Sequence, residues 1–386
     1  MNLKNIEDRI LFHCAYVKKV KVTMRNNYPY AIITPNFETL KEKNIINIES
    51  EIRWYGVELY NMEVDDSQKI LGYEIASDET VAIDEPDDEI YKVLKAYIST
   101  HAQDNISPSS HIELDLGYDS LDYVELFIFI ENSFGIKIDE ETFSKIMTMK
   151  TLYEYIKENQ KYIDSKSVNW DEVLQENIDE KLIYSPSIMF FYKTILFPFF
   201  KFYFRMELRG RENIPPTPCI IAPTHQSMLD GFLIEATLPY KILKRSFFLA
   251  YKQVFGTDLL KPIATYGQSI LIDANEDLKH TMQYCALPLK EGNNLVIFPE
   301  GARTRDRKLL EFRPFFAMLS KTFNLPIIPV VIDGSFEALQ SGKIIPRPKK
   351  IKVSYLKPIY PDEISYDEIT KKVKKAIEEE IEKNPL

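Results

Sequence analysis

The sequence predicts a multidomain α/β protein, and three stretches of different character carry that prediction. The 386 residues are 45% hydrophobic and 27% charged, which is enough chain for two or three domains with separate cores. Residues 1–80 mix strand and helix patterns, residues 84–160 are acidic and helical, and residues 186–386 alternate strand-like runs with helices. We therefore expect a small α/β segment, a helical bundle and an α/β sheet domain, with residues 161–185 as a linker before the sheet domain.

The N-terminal segment, residues 1–80, begins with strand patterns. Residues 17–22 (VKKVKV) alternate like a half-buried strand, residues 30–34 (YAIIT) follow as a second strand, and residues 45–59 fit an amphipathic helix. This order resembles the small C-terminal lid of the AMP-forming acyl synthetases. The lid's catalytic Gly-Lys is replaced by residues 77–80 (SDET), and the nucleotide-binding domain that should precede it is missing. A small α/β domain of unrelated origin is an equal alternative.

The second stretch, residues 84–160, is distinguished by its charge. Residues 85–160 contain sixteen Asp and Glu and six Lys and Arg, so their net charge is −10. This equals the net charge of the whole chain. Residues 90–98 are helical by period, residues 104–117 fit a loop, and a strongly apolar helix runs from Ser120 to about residue 132. An acidic helical module of this kind is suited to docking on basic partner surfaces.

Ser120 lies in the first turn of that apolar helix, within residues 116–122 (LGYDSLD). A phosphodiester at this position would meet unpaired backbone N–H groups, while the plainer alternative is an N-cap formed with Asp119. With D-S-L at a helix start, the whole module resembles an acyl carrier protein. The resemblance implies that Ser120 carries 4′-phosphopantetheine, which a phosphopantetheinyl transferase would attach.

Residues 188–204 are the most apolar stretch of the chain, and Lys193, Pro198 and Lys201 interrupt it. A membrane-spanning helix needs about 20 largely uncharged residues, so this stretch is too short and too charged to span. On a helical wheel its cations and Arg205 share an arc of about 120°, and most of the remaining side chains are apolar. We expect a helix on the membrane surface, kinked at Pro198, with its cations toward phosphate headgroups; a buried core helix is the alternative.

The sheet domain is predicted from its alternating pattern. Strands are expected at residues 220–222, 246–251, 269–272, 295–298, 327–332 and 351–355, with helices between them. Residues 366–383 fit a charged amphipathic helix that packs on the domain.

Two polar motifs follow strand ends in this domain. Residues 223–230 (PTHQSMLD) join a predicted strand to a helix start and hold His225 and Asp230. On one helix these side chains would point about 140° apart, so pairing them requires the turn that lies between them. Residues 298–303 (FPEGAR) follow another strand and begin a cluster of cations. The first motif alone is more often a pair without chemistry, but two converging strand ends would place a base beside a phosphate-sized anion site.

The two motifs lie about seventy residues apart and together resemble those of the glycerolipid acyltransferases, in particular the 1-acylglycerol-3-phosphate acyltransferases. The resemblance covers residues 208–358. Residues 267–273 (GQSILID) look like the family's third block and residues 326–330 (PIIPV) like its fourth. Ala274 stands where the third block usually has Arg, which puts one phosphate contact in doubt.

The resemblance implies specific roles for the site residues. His225 would take the proton of the acceptor hydroxyl, and Asp230 would orient the imidazole and stabilise its charged form. Glu300, Gly301 and Arg303 would bind the acceptor, with Arg303 on its phosphate. No metal is implied.

We therefore predict an O-acyltransferase of phospholipid synthesis. It would move a fatty acyl group from acyl-coenzyme A or an acyl carrier protein to a lysophospholipid hydroxyl, with 1-acylglycerol 3-phosphate as the expected acceptor. Two alternatives stay open. One is an acyl carrier and docking protein with an inactive acyltransferase domain, and the other is part of a split ligase system with a separate acyl-activating enzyme. Acyl chain length, the acceptor headgroup and delivery from Ser120 within one chain also stay open.

Composition narrows the partners and the compartment. The net charge is −10 and the sequence has no Lys/Arg tract or basic face, so nucleic acid is not an expected partner. Cys14, Cys219 and Cys285 are widely spaced and odd in number, which favours a reducing cytoplasm over a disulfide framework. The N-terminus lacks a signal-peptide pattern. We expect a peripheral, monotopic protein on the cytoplasmic face of the membrane.

Overall fold

A computed structural model describes residues 3–26, 28–76, 84–100, 106–163, 170–255, 261–273, 277–340 and 345–383. The chain divides into two compact units. The first comprises Met1–Asn169 with Ala274–Lys279, and the second comprises Trp170–Asp273 with His280–Leu386.

The first unit begins with an α/β module, residues 3–76, which we call the N-terminal module. Strands β1 (Val17–Arg25) and β2 (Tyr28–Pro35) form an antiparallel hairpin, and β3 (Gly72–Ile75) lies parallel to β2. In β1 the valines are buried and the lysines exposed, as the alternation predicts. The helical elements are α1 (Leu3–His13), α2 (Phe37–Glu42), α3 (Ile48–Glu51), a π-helical stretch Ile52–Glu58, α4 (Leu59–Glu63) and a 3₁₀ turn Asp66–Gln68. The expected counterpart of the synthetase lid's Gly-Lys, at residues 77–80, lies outside the described residues.

The helical bundle of the first unit covers residues 89–159. Its helices are α5 (Glu89–Ile98), α6 (Ser120–Phe134), α7 (Glu140–Phe143) and α8 (Met149–Asn159). Tyr97 of α5 stacks on Phe129 of α6 with ring centroids 3.7 Å apart. Helix α6 starts at a capping box formed by Asp119 and Asp122 and ends at Gly135, whose φ of 71° is the left-handed conformation that glycine tolerates. The helices predicted at residues 90–98 and from Ser120 are both present.

The chain enters the second unit through α9 (Trp170–Gln175). Lys290 Nζ donates to the Glu176 carbonyl at 2.6 Å, and the Ser185 N–H donates to Gln268 Oε1 at 3.1 Å. Several residues of the predicted linker, from α9 onward, therefore pack on the second unit, because their backbone groups find hydrogen-bond partners there.

The apolar stretch is a helical run, residues 186–203, which we call the aromatic run. It consists of α10 (Pro186–Phe191), a π-helical stretch Tyr192–Leu196 and α11 (Phe197–Tyr203). The π-helical stretch ends two residues before Pro198, whose ring lacks the N–H that a regular helix uses. The kink expected at Pro198 stays a prediction.

One face of the aromatic run is buried and the other is exposed. The buried face packs into the core of the second unit through Met189, Tyr192 and Phe200. The exposed face presents large apolar side chains to solvent: Phe190, Phe191, Ile195, Phe199 and Phe202. The described part of the chain contains no helix with the length and apolar composition that crossing a membrane requires.

Lys193 departs from the expectation that the cations of this stretch face outward. Its Nζ donates to the carbonyl oxygens of Ala236 and Leu238 at 3.0 and 2.9 Å, at the end of helix α12 (Asp230–Thr237). Burial lowers the pKa of Lys193 to about 8. The side chain turns inward because helix C-terminal carbonyls, which lack partners within the helix, attract a cation.

The second unit is built on a mixed sheet whose strands lie in the order β4-β10-β9-β5-β8-β6-β7. Within this sheet, the pairing of β10 with β9 is antiparallel and the other described strand pairs are parallel. Their bounds are β4 (Glu207–Arg209), β5 (Ile220–Pro223), β6 (Ser246–Tyr251), β7 (Ser269–Ile272), β8 (Asn294–Val296), β9 (Ile327–Asp333) and β10 (Lys352–Tyr355). The predicted strands are all present, whereas β4 was not predicted.

Helices cover the sheet. After α12 they are α13 (Tyr240–Leu243), α14 (Lys252–Phe255), α15 (Lys261–Tyr266), α16 (Leu278–Lys290), α17 (Phe315–Phe323), α18 (Ser335–Ala338) and α19 (Tyr366–Lys383). Helix α19 has the predicted bounds and buries Ile369, Val373 and Ile377 on one stripe. Strand β5, buried along its whole length, lies at the centre of this domain.

Candidate active site

The two motifs meet because their strands are neighbours. Strands β5 and β8 are adjacent and parallel, so their carboxyl ends reach the same edge of the sheet. His225 follows β5 by two residues, and residues 298–303 follow β8 at the same edge. The His225 ring stacks on Phe298 with centroids 4.1 Å apart. The predicted convergence of the two strand ends is confirmed.

His225 and Asp230 form a hydrogen-bonded pair across the turn. His225 Nδ1 lies 3.1 Å from Asp230 Oδ2. A carboxylate accepts, so Nδ1 carries the proton and Nε2, on the opposite edge of the ring, is the nitrogen positioned to accept one. The His side chain is 22% exposed, while the Asp side chain is fully buried. This arrangement suits a general base whose orientation is fixed by a carboxylate.

Asp230 also holds the turn itself. The same oxygen, Oδ2, accepts the backbone N–H of Gln226 at 2.6 Å and of Ser227 at 2.7 Å. Ser227 Oγ is engaged elsewhere, donating to the Leu339 carbonyl at 2.7 Å. The carboxylate at the start of α12 therefore fixes both the loop and the imidazole, because one buried acceptor serves three donors.

Glu300 braces His225 from the second motif. Its Oε1 accepts the His225 N–H at 2.7 Å and its Oε2 accepts the Leu310 N–H at 2.9 Å. The Thr304 N–H in turn donates to the His225 carbonyl at 3.1 Å. Burial raises the pKa of Glu300 to about 7, although the two N–H bonds favour its ionised form. Glu300 thus fixes the backbone of the base, and its expected contact with the acceptor stays a prediction.

Gly301 and Arg303 follow Glu300 in the same loop. Gly301 has a φ of 62°, the left-handed region that favours glycine, and its N–H closes a turn onto the Phe298 carbonyl at 3.1 Å. Arg303 is half-buried and directly precedes Thr304. The loop therefore brings the Arg303 backbone to the His225 edge of the sheet, since the neighbouring Thr304 N–H donates to the His225 carbonyl, and the expected role of Arg303 on a phosphate stays a prediction.

Further cations of this loop are already paired. Arg307 forms ion pairs with Asp333 at 3.4 Å and with Glu337 at 3.0 Å, and Lys308 lies 3.3 Å from Asp306. In the third block, the Asp273 carboxylate lies 3.3 Å from Lys252 Nζ. Ala274, where that block usually has Arg, lies outside the described residues.

Ser120 lies in the first unit, as the first residue of α6. The N-cap is Asp119, whose side chain accepts from the N–H groups of Leu121 and Asp122. The Ser120 hydroxyl therefore takes no part in the cap, and it donates to Asn47 Oδ1 at 2.7 Å. Its side chain is half-buried.

Several residues that build these sites escaped the sequence analysis. The stacking of Phe298, the bracing role of Glu300 and the Asn47 contact depend on residues 73 to 75 positions apart in the chain. A local motif can name Glu300, but only the pairing of β5 with β8 shows what its oxygens bind. Within the residues described, no cluster of three or more His, Cys, Asp or Glu side chains is arranged to hold a metal ion.

Family models match two segments of the chain. Residues 205–333 match the model described as "Acyltransferase", and residues 90–156 match the model described as "Phosphopantetheine attachment site". The first segment contains both motifs at the β5 and β8 strand ends, and the second contains Ser120. An acyltransferase domain and a phosphopantetheine carrier domain are therefore present in one chain, as predicted.

Curated proteins are similar to part of this chain. A 1-acyl-sn-glycerol-3-phosphate acyltransferase of Limnanthes douglasii is 31% identical over 172 residues, which cover 44% of this chain and 59% of the relative. One from Pseudomonas aeruginosa is 35% identical over 133 residues, covering 33% of this chain and 48% of the relative. The chain thus spans about half of the length of these curated relatives.

A solved structure also aligns with the chain. It is the crystal structure of the 1-acyl-sn-glycerophosphate (LPA) acyltransferase PlsC from Thermotoga maritima, with a TM-score of 0.44 and 22% identity. The alignment covers 51% of this chain and 78% of that one.

Proposed function

We propose that this protein transfers a fatty acyl group from a thioester to the hydroxyl of a lysophospholipid, with 1-acylglycerol 3-phosphate as acceptor. The observation that carries the proposal is the His225–Asp230 pair, held at 3.1 Å at the carboxyl end of β5 and braced by Glu300. The names of the similar proteins support the choice of reaction and acceptor.

The chemistry follows from the direction of the imidazole. The acceptor hydroxyl loses its proton to His225 Nε2 as its oxygen bonds to the thioester carbonyl carbon. The C–S bond then breaks, and the departing thiolate takes a proton from the imidazolium. Asp230 Oδ2 stabilises that imidazolium through Nδ1 and keeps the ring in the productive tautomer.

Acceptor binding is assigned to the loop after β8. Arg303 would bind the acceptor phosphate through its planar guanidinium, which suits phosphate oxygens. Gly301 would let the acceptor approach the backbone closely, because it has no side chain. Glu300 would act on the acceptor through the loop that it holds, since both of its oxygens already accept backbone N–H groups.

The exposed face of the aromatic run would bring the protein to its lipid substrate. Phe190, Phe191, Phe199 and Phe202 are each about half exposed or more, and Phe202 is 81% exposed. A cluster of exposed aromatic side chains on one helical face is suited to the boundary between headgroups and acyl chains. We propose peripheral binding to the cytoplasmic face of the membrane through this surface.

Ser120 would carry 4′-phosphopantetheine. The residue fits the group, because its hydroxyl lies at the first turn of α6 and is not used by the helix cap. When bound, the group supplies a thiol that holds an acyl chain as a thioester. A phosphopantetheinyl transferase would attach it, and a separate acyl-activating enzyme would charge it. Acyl-coenzyme A and a separate acyl carrier protein remain the other donors.

Two measurements test this function. Purified protein is incubated with labelled acyl-coenzyme A or acyl carrier protein and with 1-acylglycerol 3-phosphate as acceptor. Parallel reactions contain zwitterionic lysophospholipids instead, and the diacyl product is quantified in each. We expect product with the phosphate acceptor, and its absence with every acceptor and both donors would overturn the acyltransferase proposal. Intact mass of protein from its own host should show a phosphopantetheine adduct that Ser120→Ala abolishes.

A further inference from the structure

The half-buried Ser120 hydroxyl does not face open solvent. It donates to Asn47 Oδ1 at 2.7 Å, and Asn47 belongs to the N-terminal module, 73 residues earlier in the chain. Asn47 is only 5% exposed. It occupies the N-cap position of α3, yet its side chain makes no capping hydrogen bond. Its amide is therefore directed at the helical bundle rather than at its own helix.

Two further contacts flank this hydrogen bond. Glu113 of the helical bundle accepts the backbone N–H groups of Ile48 and Glu49, each at 2.8 Å. His111 of the bundle packs against Phe37 of the N-terminal module with ring centroids 5.6 Å apart. Each contact joins the N-terminal module to the part of the bundle that precedes α6. We call the bundle residues His111, Glu113 and Ser120 the serine face.

The Glu113 contact involves two hydrogen bonds. Its two oxygens accept the first two N–H groups of α3, so one bundle side chain holds the start of that helix. Burial raises the pKa of Glu113 to about 8, and burial lowers the pKa of His111 to about 4. Such shifts are expected of groups enclosed between two packed surfaces, not of groups that touch at an exposed rim.

We propose that the N-terminal module docks on the serine face of the helical bundle and covers it while Ser120 is unloaded. Attachment of phosphopantetheine to Ser120 then opens this contact. The inference rests on the proposed carrier function of Ser120. Attachment forms a bond from Ser120 Oγ to the pantetheine-bearing phosphorus of coenzyme A and breaks the diphosphate P–O bond. Adenosine bisphosphate leaves, and the hydroxyl proton passes to the transferase or to solvent.

Attachment of phosphopantetheine removes the hydrogen bond between Ser120 and Asn47. The Oγ loses the hydrogen that Asn47 Oδ1 accepts, and a negatively charged phosphodiester takes its place. The phosphodiester would enter a contact that also holds the Glu49 carboxylate, which accepts from the Tyr73 hydroxyl. Glu113 already occupies the N–H groups of Ile48 and Glu49, so these two donors can serve the phosphodiester only if the Glu113 contact opens.

The first experiment measures the rate of loading. The full chain is treated with coenzyme A and a broad-specificity phosphopantetheinyl transferase, and conversion is followed by intact mass. Asn47→Ala should be loaded about 2- to 10-fold faster than wild type, the worth of one neutral hydrogen bond that holds the serine covered. Asn5→Ala, which changes an exposed asparagine of α1, is the matched control and should load at the wild-type rate.

The second experiment measures amide exchange with deuterium. The Ile48 and Glu49 amides should exchange slowly in unloaded wild type, and several-fold faster after loading and in unloaded Asn47→Ala. The amides of the β1–β2 hairpin should stay equally protected in all samples, which would show that the module remains folded. Equal loading rates, or amides at 48 and 49 that stay protected after loading, would overturn the inference. If the transferase loads no chain but the Ile48 and Glu49 amides exchange faster in Asn47→Ala than in wild type, the carrier function is refuted and the docking contact stands.

Discussion

Asp230 combines two tasks that a substitution can separate. In Asp230→Asn, the amide oxygen can take the place of Oδ2 and keep the bonds to Gln226 and Ser227, while the NH₂ group takes the place of Oδ1, which lacks a partner in the described structure. The loop then stays in place but the charge is lost. We expect the turnover rate to fall about 10²–10⁴-fold, because the imidazolium is no longer stabilised.

The acyl-transfer assay with labelled donor measures turnover for Asp230→Asn and also tests the base. His225→Ala should lower turnover about 10²–10⁴-fold, the usual worth of a positioned general base. His280→Ala, which removes an imidazole of α16 that lies 3.7 Å from Glu180, is the matched control and should keep wild-type activity. Wild-type turnover in His225→Ala would rule out the proposed proton transfer.

Glu300 gives a pH dependence of stability. Its pKa is about 7 in the folded protein, above the ordinary 4.5, so the folded state holds the proton more tightly than the unfolded state does. The contribution of Glu300 to the free energy of unfolding is therefore full below pH 4.5 and falls as the pH rises through about 7, by at most about 3 kcal/mol. Measured as thermal midpoints from pH 5 to 8, the difference between wild type and Glu300→Gln should decline with pH.

A matched control separates this effect from a general change in charge. Glu212 is exposed and does not contribute to the pKa shift of Glu300, so Glu212→Gln should leave the slope unchanged. Equal slopes in wild type and Glu300→Gln would contradict the raised pKa of Glu300.

The aromatic run shows how one element serves two environments. Its buried face is part of the core, so replacing Phe200 would damage the fold before it tested membrane binding. Its exposed face can be changed at little cost in stability. We expect Phe190, Phe191, Phe199 and Phe202, replaced together by Ser, to weaken binding to phospholipid vesicles roughly 100-fold or more, because binding scales with buried apolar area.

Vesicle sedimentation measures this effect. Phe12 and Tyr360 are exposed aromatics outside the aromatic run, so replacing both by Ser is the matched control and should leave sedimentation unchanged. If the fourfold variant sediments like wild type, the aromatic run is not the membrane-binding surface. Activity toward dispersed acceptor below its aggregation threshold should survive in the fourfold variant.

At the scale of the whole molecule, the covalent link between the bundle and the acyltransferase domain predicts delivery within one chain. A tether gives the carried acyl group an effective concentration in the millimolar range, if its length spans the two sites. With Ser120 pre-charged with a labelled acyl group and acceptor in excess, the single-turnover rate should not change on dilution of the protein. Added unlabelled acyl carrier protein should compete poorly.

The matched variant for this experiment is Ser120→Ala. It should still use acyl-coenzyme A or a separate acyl carrier protein, without the advantage of tethering. A single-turnover rate that falls in proportion to protein concentration would show that the bundle serves a second molecule.

The sequence by itself determined that the carrier segment precedes the acyltransferase segment, most strand positions and the pairing of His225 with Asp230. These features are local: alternation marks β1, apolar runs mark β5 and β8, and a His–Asp spacing across a strand end marks the turn. Helix α19 was predictable to its bounds, because an amphipathic period that continues over 18 residues fits a helix and no other regular element. The short edge strand β4 was missed, because three residues carry too weak a pattern.

Only the tertiary structure decided which partners these residues have. Glu300 looks like a substrate ligand in a motif and is a brace for His225 in the fold, because β5 and β8 are neighbours. Lys193 looks like a headgroup contact on a helical wheel and instead caps α12. The contact between Ser120 and Asn47 joins residues 73 positions apart, and no local pattern encodes such a separation. Periodicity fixes which face of an element is buried, while sheet order and packing fix what that face meets.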